Sequence, residues 1–356
     1  LHPSGQFGTR IKGGKDAASP RYIFTYLSEN CGKLFDRDDE VNLNYLDDDG
    51  QSIEPEYYVP VLPLALVNGF RGIATGFSTE CPAFNPEELK GQLLKLIKHD
   101  GDVEAAKLKS LRPWYRNFKG EIYEKSKNKW MTIGAWKKTG ANSVEITELP
   151  IGTWTDDYVE FLKTMETEGN ILRFDDYSSE NEVKINVLFD RGVMDKFEEM
   201  EQDNEFEQYM KLTSNLSASN MHVIDAEGEI RHMNDPLEIL VEFYKVRSRY
   251  YKLRYDHLLK KTKHEMSVAK SKIKFIKVVS SGNLNMTKMK RSEIVEYLRE
   301  NKYYDYGEFA YLLDMRMVSM SEEKVALLNE EINKKAEFEK EMRNKVPHDL
   351  WVEDLS

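Results

Sequence analysis

The spacing of apolar residues separates helical from irregular segments in the first hundred residues. Apolar side chains recur at helical intervals in residues 85–100, which predicts an amphipathic helix there. Residues 56–67 are nearly all apolar and include prolines, a composition that favours a buried irregular crossing over a helix. The glycine-rich segment 1–28 is expected to be a loop that ends in a short helix around Tyr22–Ser28.

Alternation of apolar and polar residues marks the segment 118–190 as rich in strands. GEIYEKSKNKWMTIGAW predicts a hairpin that turns at Lys127–Asn128, and SVEITEL and VKINVLF predict further strands. Residues Asp156–Met165 are expected to form a helix between those two strands. This part of the chain is therefore predicted to be an α+β module.

The pattern changes at Asp235 to a single long helix that is followed by its return. Asp235 suits an N-cap and Pro236 suits a first helical turn, and no glycine or proline follows until Gly282. A helix of this length needs a partner, which Ser321–Arg343 supplies as an antiparallel return, with a small helical head over 290–316 between them. Large side chains repeat every seven positions at Leu237, Tyr244, Tyr251 and Leu258.

Composition bounds the class of protein. A chain of 356 residues with 32% charged and 40% hydrophobic residues fits a helix-rich protein of two or three domains. Cys31 and Cys81 have no metal-binding spacing and no disulfide framework, so both are expected to be reduced intracellular thiols.

The net charge of −11 argues against DNA binding only when it is averaged over the whole chain. Residues 245–291 contain 15 Lys or Arg and two acids, and residues 1–22 contain four basic residues and one acid. This segregation allows a basic surface for a duplex, although the run in 245–291, taken alone, is better explained by a solvated helix face. The acids are concentrated in Asp36–Glu40, Asp47–Asp49 and Asp195–Glu207.

The segment GQFGTRIKGGKDAASPRYIFT, residues 5–25, has the composition of a phosphate-binding loop. Its glycines let backbone amides approach an anion, and Arg10, Lys12, Lys15 and Arg21 supply positive charge. Tyr22 adjoins Arg21, so a phenol able to attack a phosphodiester lies beside a guanidinium. A lone tyrosine among the 19 of this chain is more often a packing residue, and the full segment is what raises the functional interpretation.

This segment resembles the active-site segment of eukaryotic-type type IIA DNA topoisomerases (topoisomerase II). The similarity continues in the family's order over nearly the whole chain, so chance is a poor explanation of it. The further blocks are EPEYYVPVLPLALVNGFRGIATGFS at 54–78, RNFKG at 116–120, ITELPIGTWT at 146–155, KLTSNLSASNM at 211–221, FAYLLDMRMVSMSEEK at 309–324 and DLWVEDL at 349–355.

The resemblance implies a mixed α+β fold in three parts. Residues 1–80 would be the C-terminal part of a winged-helix domain that carries the tyrosine, and residues 81–234 an α+β tower. Residues 235–356 would be a long antiparallel coiled-coil hairpin with a helical exit-gate head at about 285–320. The exit-gate contact is expected around Phe309–Met320, where an exposed Leu312–Leu313 and three methionines would form a separable apolar interface.

The chemistry that the resemblance implies is reversible cleavage of DNA strands. Tyr22 attacks a backbone phosphorus and stays attached to the 5′ phosphate while the 3′ hydroxyl leaves. Because a free phenol has a pKa of about 10, the nucleophile needs a base, a cation or both. Arg21 is the matching transition-state stabiliser, since its planar guanidinium can hold two phosphoryl oxygens.

The resemblance also implies a set of DNA-contacting residues. Ile73 in NGFRGIATGF matches the isoleucine that wedges between base pairs and bends the duplex, whereas without the resemblance it would be assigned to a core. Arg71 departs from the small or acidic residues that relatives often have and adds a charge for phosphate. Residues 211–220, by themselves a polar loop, match a DNA-contacting stretch. The predicted phosphate- and sugar-binding residues are Arg10, Lys12, Lys15, Lys211, Thr213, Ser214, Asn215 and Asn220.

Metal and nucleotide binding are expected outside this chain. DDDG at 47–50 and HVIDAEG at 222–228 lack the family's metal-binding pattern and are more often solvated turns, so no metal ligand is predicted. The family's order places an ATPase domain and a Mg-binding TOPRIM domain before the winged helix, inside which Leu1 would lie. The chain is therefore expected to be a fragment, a processed piece or one part of a split enzyme that depends on Mg and ATP bound by those domains.

The implied working form is a homodimer on double-stranded DNA, because each strand needs its own Tyr22. Dimer contacts are expected at the exit gate and the winged-helix region, with the ATPase and TOPRIM portion joined in cis or in trans. No apolar run has transmembrane length, and no membrane partner is expected. The resemblance implies the nucleus, or the host cytoplasm or virion if a large DNA virus encodes the protein.

Two other functions remain open at this point. One is a DNA-clamping fragment that keeps the fold without cleavage, and the other is a coiled-coil scaffold in which the glycine-rich start is incidental. The intact Arg21–Tyr22 pair argues against the first. A salt-dependent DNA-binding titration separates the second from the enzyme, because a scaffold predicts no affinity for DNA.

Overall fold

The computed structural model of the protein describes residues 2, 4–194, 197, 204–284, 289–316 and 319–356. The helices are α1 Cys31–Leu34, α2 Arg37–Glu40, α3 Leu64–Asn68, α4 Pro86–Lys98, α5 Val103–Ala106, α6 Thr155–Thr167, α7 Glu205–Tyr209, α8 Pro236–Ser280, α9 Arg291–Glu300, α10 Ala310–Leu313, α11 Glu322–Arg343 and α12 Pro347–Asp354. Short 3-10 helices cover Pro20–Tyr22 and Gly307–Phe309.

The strands form antiparallel pairs and two larger sheets. The strands are β1 Tyr45–Asp48, β2 Gln51–Pro55, β3 Phe70–Ala74, β4 Phe77–Cys81, β5 Glu121–Ser126, β6 Lys129–Ile133, β7 Ala135–Gly140, β8 Ser143–Glu148, β9 Arg173–Asp176, β10 Ile185–Leu188, β11 Thr213–Ser217, β12 Met221–Ile224 and β13 Ile230–Met233. Four strands are ordered β7-β8-β10-β9 and three are ordered β11-β6-β5, while β1-β2, β3-β4 and β12-β13 are two-stranded.

The chain divides into two compact units, of which unit 1 comprises Leu1–Phe35 and Pro60–Val246. Its main core lies between the four-stranded sheet and α6, because β8 and β10 turn alternate residues inward. Val144 and Ile146 of β8 meet Tyr158 and Leu162 of α6 there, and all four side chains are buried. The α+β module predicted from alternation is confirmed, including the hairpin turn at Lys127–Asn128 between β5 and β6.

Unit 2 comprises Asp36–Val59 and Arg247–Ser356. Within it, the later part of α8 runs antiparallel to α11, since Ala269 and Ile273 pack on Leu328 while the Tyr255 hydroxyl donates to the Met342 carbonyl at 3.0 Å. The predicted long helix and its return are therefore confirmed. The helix begins where Asp235 was predicted to cap it, with the Asp235 carboxylate accepting from the Leu237 amide at 2.9 Å.

A small head follows α8 and is built on α9 and α10. Phe275, Leu298 and Phe309 form its core together with Leu312, which is 0% exposed. The expectation of an exposed Leu312–Leu313 pair is therefore wrong for Leu312, because α10 turns this side chain inward. Leu313 is half-buried beside the same core. Met317, one of the three methionines, lies outside the described residues.

Two local predictions differ from the structure. The short helix expected around Tyr22–Ser28 is instead extended, because Tyr26 accepts a backbone hydrogen bond from His2 at 2.8 Å and Ile23 has β-region dihedrals. The crossing 56–67 is irregular only to Pro63. Helix α3 begins directly after that proline, since a proline amide is not needed at a helix start.

Candidate functional site

Residues 5–25, called here the tyrosine loop, leave unit 1 and return to nearly the same point. At the base of the loop His2 and Tyr26 stack with ring centroids 4.5 Å apart. Inside the loop, the Gly14 amide donates to the Thr9 carbonyl at 2.9 Å and the Ala18 amide to the Gln6 carbonyl at 3.0 Å. The glycine-rich segment is therefore a folded loop with its own hydrogen bonds.

Asp16, the one acid in the loop, holds its two arms together. Its carboxylate accepts from the Thr9 amide at 2.9 Å and from the Thr9 hydroxyl at 2.7 Å. These hydrogen bonds to the charged form lower the pKa of Asp16 below its ordinary value. Asp16 therefore shapes the loop as a carboxylate.

A buried ion pair fastens the tyrosine loop to the sheet. Arg10 pairs with Glu148 at the end of β8, a residue that is only 1% exposed. The same carboxylate accepts from the amides of Leu149 at 3.0 Å and Lys119 at 3.2 Å. Because a buried charge must be compensated, Glu148 fixes where Arg10 and the adjoining loop can lie.

The loop also lies against the first turn of α6. The Asp156 amide donates to the Ile11 carbonyl at 3.1 Å. Gly13 has a φ of +60°, and a Cβ at this position would lie 2.3 Å from the Trp154 indole, so no larger residue fits. Glycine is required here by both the backbone conformation and the close approach.

The two loop lysines face carboxylates in this arrangement. Lys12 is 3.8 Å from Asp156 and Lys15 is 3.7 Å from Asp157, and all four side chains are exposed. Exposed pairs at this separation contribute about 0–1 kcal/mol each. The lysines are thus held close to the loop but are readily given up to a stronger anion.

Tyr22 lies on the solvent side of the loop. It ends the 3-10 helix Pro20–Tyr22, and 65% of the residue is exposed. The Arg21 guanidinium carbon is 5.0 Å from the centre of the Tyr22 ring. A nucleophile-sized hydroxyl and a fixed positive charge are therefore presented side by side to anything that approaches this face.

A second exposed feature is the hairpin of β3 and β4. Ile73 stands opposite Ser78, one position from the turn, and is 88% exposed. Arg71 on the same strand stands opposite Glu80. An isoleucine so fully in water is not a core residue, and this position is free for a contact with a partner.

The hairpin is fastened at β4 by the segment that contains Asn220. The Glu80 amide donates to the Asn220 carbonyl at 2.9 Å, and the Asn220 side-chain amide donates to the Ser78 hydroxyl at 2.8 Å. His222 adds a ring contact with Phe77 at 5.3 Å between centroids. Asn220 is thereby placed beside the cross-strand partner of Ile73.

The polar stretch 211–220 was interpreted as a loop, and the structure corrects this for Thr213–Ser217, which form β11 and pair with β6. Ser214 is committed within the sheet, because its hydroxyl donates to the Ile151 carbonyl at 2.7 Å and contacts the Thr132 hydroxyl at 2.8 Å. Asn215 is exposed and accepts from Lys125 at 3.3 Å. Thr213 is half-buried opposite Ile133. The alternation of T-S-N-L-S was the overlooked strand signal.

Lys211 precedes this strand in a left-handed conformation, with a φ of +50°. Its ammonium lies 4.4 Å from the centre of the Phe161 ring, on α6. The residue is exposed, so the cation contacts the ring from the solvent side.

Two acidic segments were considered for metal, and both are turns. Asp47 accepts the Gly50 amide at 3.0 Å in the turn between β1 and β2, and Asp225 accepts the Glu227 and Glu229 amides at 3.0 and 2.9 Å. Over the described residues, no group of three or more His, Cys, Asp or Glu side chains could hold a metal ion. The residues present therefore do not fit a magnesium site.

The structure groups the predicted residues into three neighbourhoods of unit 1. The tyrosine loop holds Arg10, Lys12, Lys15, Arg21 and Tyr22, the hairpin region holds Arg71, Ile73 and Asn220, and the start of β11 holds Lys211, Thr213, Ser214 and Asn215. Among the described residues, no hydrogen bond, ion pair or ring contact joins Arg21 or Tyr22 to the other two groups.

Sequence reasoning missed Glu148. The signal was present in SVEITEL, where Val144, Ile146 and Glu148 fall on one face of the strand and all three are buried. A carboxylate in line with two core residues predicts a buried ionic partner.

Comparisons with known proteins cover the whole chain. Residues 1–356 match the DNA gyrase/topoisomerase IV family, in its A-type subunits. DNA topoisomerase 2 of Arabidopsis thaliana is 35% identical, with 100% of this chain and 26% of the relative covered. Mitochondrial DNA topoisomerase 2 of Dictyostelium discoideum is 34% identical, with 100% and 28% covered. The chain thus spans about a quarter of the length of these relatives.

A solved structure shares the fold. The crystal structure of the Plasmodium falciparum topoisomerase II DNA-binding, cleavage and re-ligation domain matches with a TM-score of 0.88 and 33% identity. The match covers 99% of this chain and 50% of that chain.

Proposed function

This chain belongs to the DNA gyrase/topoisomerase IV family of A-type subunits, as its sequence predicted, and we propose that it forms the DNA gate and exit gate of an ATP-dependent type IIA topoisomerase. The enzyme passes one duplex through a transient double-strand break in another and so relaxes and decatenates DNA. The observation that carries the proposal is the exposed Tyr22 beside Arg21 on a loop that is fastened to the core.

Tyr22 is the proposed nucleophile. Its hydroxyl oxygen forms a bond to a backbone phosphorus, the bond from that phosphorus to the 3′ oxygen breaks, and the phenolic proton leaves to solvent or a base. The 3′ oxygen leaves as a hydroxyl after it is protonated, and the strand's 5′ phosphate remains on the protein. The reverse attack restores the phosphodiester, so sealing needs no nucleotide.

Arg21 is proposed to hold the charge that develops on the phosphoryl oxygens. A guanidinium remains charged throughout and donates in a planar fork, which suits two oxygens of one phosphate. Its position over the Tyr22 ring keeps it within reach of the same phosphorus. Arg21 and Tyr22 together supply a nucleophile and a stabilising charge, but no general base.

Lys12, Lys15 and the hairpin residues are proposed to position the duplex. The lysines exchange weak pairs with Asp156 and Asp157 for DNA phosphates. Ile73, which water surrounds in the free chain, gains by entering between base pairs and bending the duplex, while Arg71 and Asn220 bind the flanking backbone. Lys211, Thr213 and Asn215 are placed along the same duplex.

Arg10 and Ser214 are closest to DNA in the proposal without being free to grip it. Arg10 is engaged by Glu148, and Ser214 is engaged by the Ile151 carbonyl. Both are proposed to orient the residues around them, with a DNA contact limited to atoms that these bonds leave unused.

The family implies Mg and ATP, and neither fits a site in the described residues. We assign both to the ATPase and TOPRIM portions of the enzyme, joined in cis or in trans. Two copies of the chain are proposed to meet at the winged-helix region and at the exit gate around 309–320, so that two Tyr22 residues cut opposite strands. No described helix is long and apolar enough to cross a membrane.

The proposed location is the nucleus, since the relatives are eukaryotic DNA topoisomerases 2, one of which is mitochondrial. Host cytoplasm or virion is the alternative for a chain encoded by a large DNA virus.

The test is covalent capture. The chain is combined with a TOPRIM-containing portion of a relative, Mg and a labelled duplex, the reaction is stopped with detergent, and the attached residue is mapped. We expect the label on Tyr22 and no adduct with Tyr22→Phe. Tyr26→Phe is the matched control, because Tyr26 is similarly exposed beside the loop and should leave the adduct intact.

An adduct that persists in Tyr22→Phe contradicts the assignment. Salt-dependent DNA binding without any adduct favours the clamping function instead, and the turns at Asp47 and Asp225 are the observation that keeps this second candidate, since neither supplies a metal.

A further inference from the structure

The basic residues of α8 separate into two chemical classes within unit 2. The arginines are used internally: Arg247 is 2.7 Å from Asp39, and Arg254 is 2.8 Å from Asp36 and 2.7 Å from Asp354. Both arginines are buried. The charge that they add to the sequence is therefore neutralised and contributes nothing to an outer surface.

The lysines of the same helix include a row that is not neutralised. Lys252, Lys263, Lys270 and Lys277, called here the lysine row, are all exposed. Across the parts of the chain that the structure describes, none of these four ammonium groups joins an ion pair or a hydrogen bond. Lysines elsewhere, such as Lys261 with Asp38 and Lys335 with Glu265, do pair.

Helix geometry places the four lysines in line. Their spacings of 11, 7 and 7 residues return to one face, so the four positions fall within about 40° of the helix circumference. At about 1.5 Å per residue the row is about 38 Å long. The face is separate from the one that packs on α11, which carries Ala269, Ile273 and Ile276.

We propose that the lysine row is a second binding surface for nucleic acid, one that takes the phosphate backbone of a DNA duplex without reading its sequence. The length of the row is about one helical turn of B-DNA, which is about 34–36 Å. A lysine ammonium is a hydrated point charge on a flexible stem, which suits phosphates whose positions shift as the duplex slides.

An acidic protein segment is the weaker match to the same row. Protein interfaces place aromatic or apolar residues among their charges, whereas positions 256, 260, 267 and 274, which flank the row on this face, are polar or charged. Asp256 is the one acid among them, so the positive field is nearly continuous. The choice of DNA as the polyanion rests on the proposed function of the chain.

The test compares two variants of the full chain with equal charge changes. The row variant carries Lys252→Gln, Lys263→Gln, Lys270→Gln and Lys277→Gln, and glutamine preserves the helix because its helix propensity is close to that of lysine. The control variant changes the basic residues of the partner helix α11 to glutamine, at Lys324, Lys334, Lys340 and Arg343. Circular dichroism verifies that both variants keep their helix content.

Two measurements are made with a short duplex. Each neutralised phosphate contributes about 0.9 to the slope of log K against log salt, so we expect the slope for total binding to fall by about 3 to 4 in the row variant. We expect a change below about 1 in the control. Amine acetylation read by mass spectrometry should show the four row lysines protected by duplex and released at high salt, while Lys324, Lys334 and Lys340 stay reactive.

Each other outcome overturns the proposal. An unchanged slope in the row variant, or equal protection of the row and of α11, removes the second surface. Protection by poly-glutamate that equals protection by duplex removes DNA as the ligand. Covalent capture at Tyr22 is scored separately, so an adduct without row protection leaves the enzyme function intact, and row protection without an adduct leaves the surface intact.

Discussion

Basic side chains are dense in two regions of this chain, the tyrosine loop and helix α8, and the two regions use them in opposite ways. In the loop, Arg10 is anchored to buried Glu148, and the loop keeps Lys12 and Lys15 in weak exposed pairs. In α8, Arg247 and Arg254 are locked in a buried network, while the lysine row makes no pairs among the described residues.

The difference shows that arginine builds structure in both regions and that lysine is what each region offers to an anion. A guanidinium can satisfy several acceptors at once, so it tolerates burial, whereas an ammonium keeps its water. Counting positive charge along the sequence therefore overstates the binding surface of α8 and misplaces it onto residues that point inward. Four substitutions test this division of roles.

Breaking the buried network in α8 should cost the most stability. Arg247 is 1% exposed and also lies with its guanidinium carbon 4.0 Å from the centre of the Tyr251 ring. Arg247→Met would leave Asp39 buried and unpaired, so we expect a loss of about 3–5 kcal/mol in the free energy of unfolding, measured by urea denaturation.

The matched control for this change is Lys245→Gln, two residues away, where the exposed pair with Glu242 predicts a loss of less than about 0.5 kcal/mol. The double variant Arg247→Met with Asp39→Leu should recover most of the loss, because no charge is then stranded. Equal losses for Arg247→Met and Lys245→Gln would erase the distinction between buried arginine and exposed lysine.

Loosening the loop anchor should have an intermediate effect on stability and a large effect on chemistry. Glu148→Gln removes the charge opposite Arg10 but keeps the shape, so we expect a loss of about 1–3 kcal/mol and faster proteolysis within residues 9–16. The yield of the Tyr22 adduct at saturating DNA should fall while the DNA affinity changes little. An affinity loss with an unchanged adduct yield would assign Glu148 to binding instead.

Releasing the loop lysines should strengthen DNA binding. In Asp156→Asn with Asp157→Asn, Lys12 and Lys15 no longer have these carboxylate partners, so we expect about threefold to tenfold tighter binding at low salt. The gain should vanish at high salt, where such pairs are screened. Asp48→Asn with Asp49→Asn, in the turn between β1 and β2, is the control of equal charge and should change the affinity little.

Titrating Asp16 should give the smallest signal. Hydrogen bonds from Thr9 lower its pKa in the folded loop, so the stability they supply is present above the ordinary aspartate pKa and is lost as pH falls through the lowered value. Thr9→Val removes the hydroxyl donor but keeps the amide, and we expect the Asp16 pKa to rise part of the way toward its ordinary value. Carbon NMR of the carboxyl group measures the shift, and no movement would place the cause elsewhere.

Sequence patterns predicted the long elements well because their signals are repeated many times. Helix α8 combines an aspartate cap, a proline in the first turn and an unbroken run to Ser280, and β5 and β6 are fixed by alternation on both sides of a turn. Each of these elements is determined by local physics that the sequence carries in full.

The failures lie where a distant contact decides. Residues 23–26 have helix-compatible letters but are extended because His2 pairs with Tyr26, and Leu312 is buried because the small head needs it as core. Tyr22 and Ile73 were assigned through family resemblance, since nothing in their local letters distinguishes an exposed functional side chain from a packing one. Their exposure is what the structure adds.

The close approach of Gly13 to Trp154 gives the protein an optical gauge of its own chemistry. The indole lies against the backbone of the loop that carries Tyr22, so its emission depends on whether that loop is seated. With the other four tryptophans changed to phenylalanine, stopped-flow fluorescence of Trp154 would time the movement of the tyrosine loop as a duplex arrives, without any label on protein or DNA.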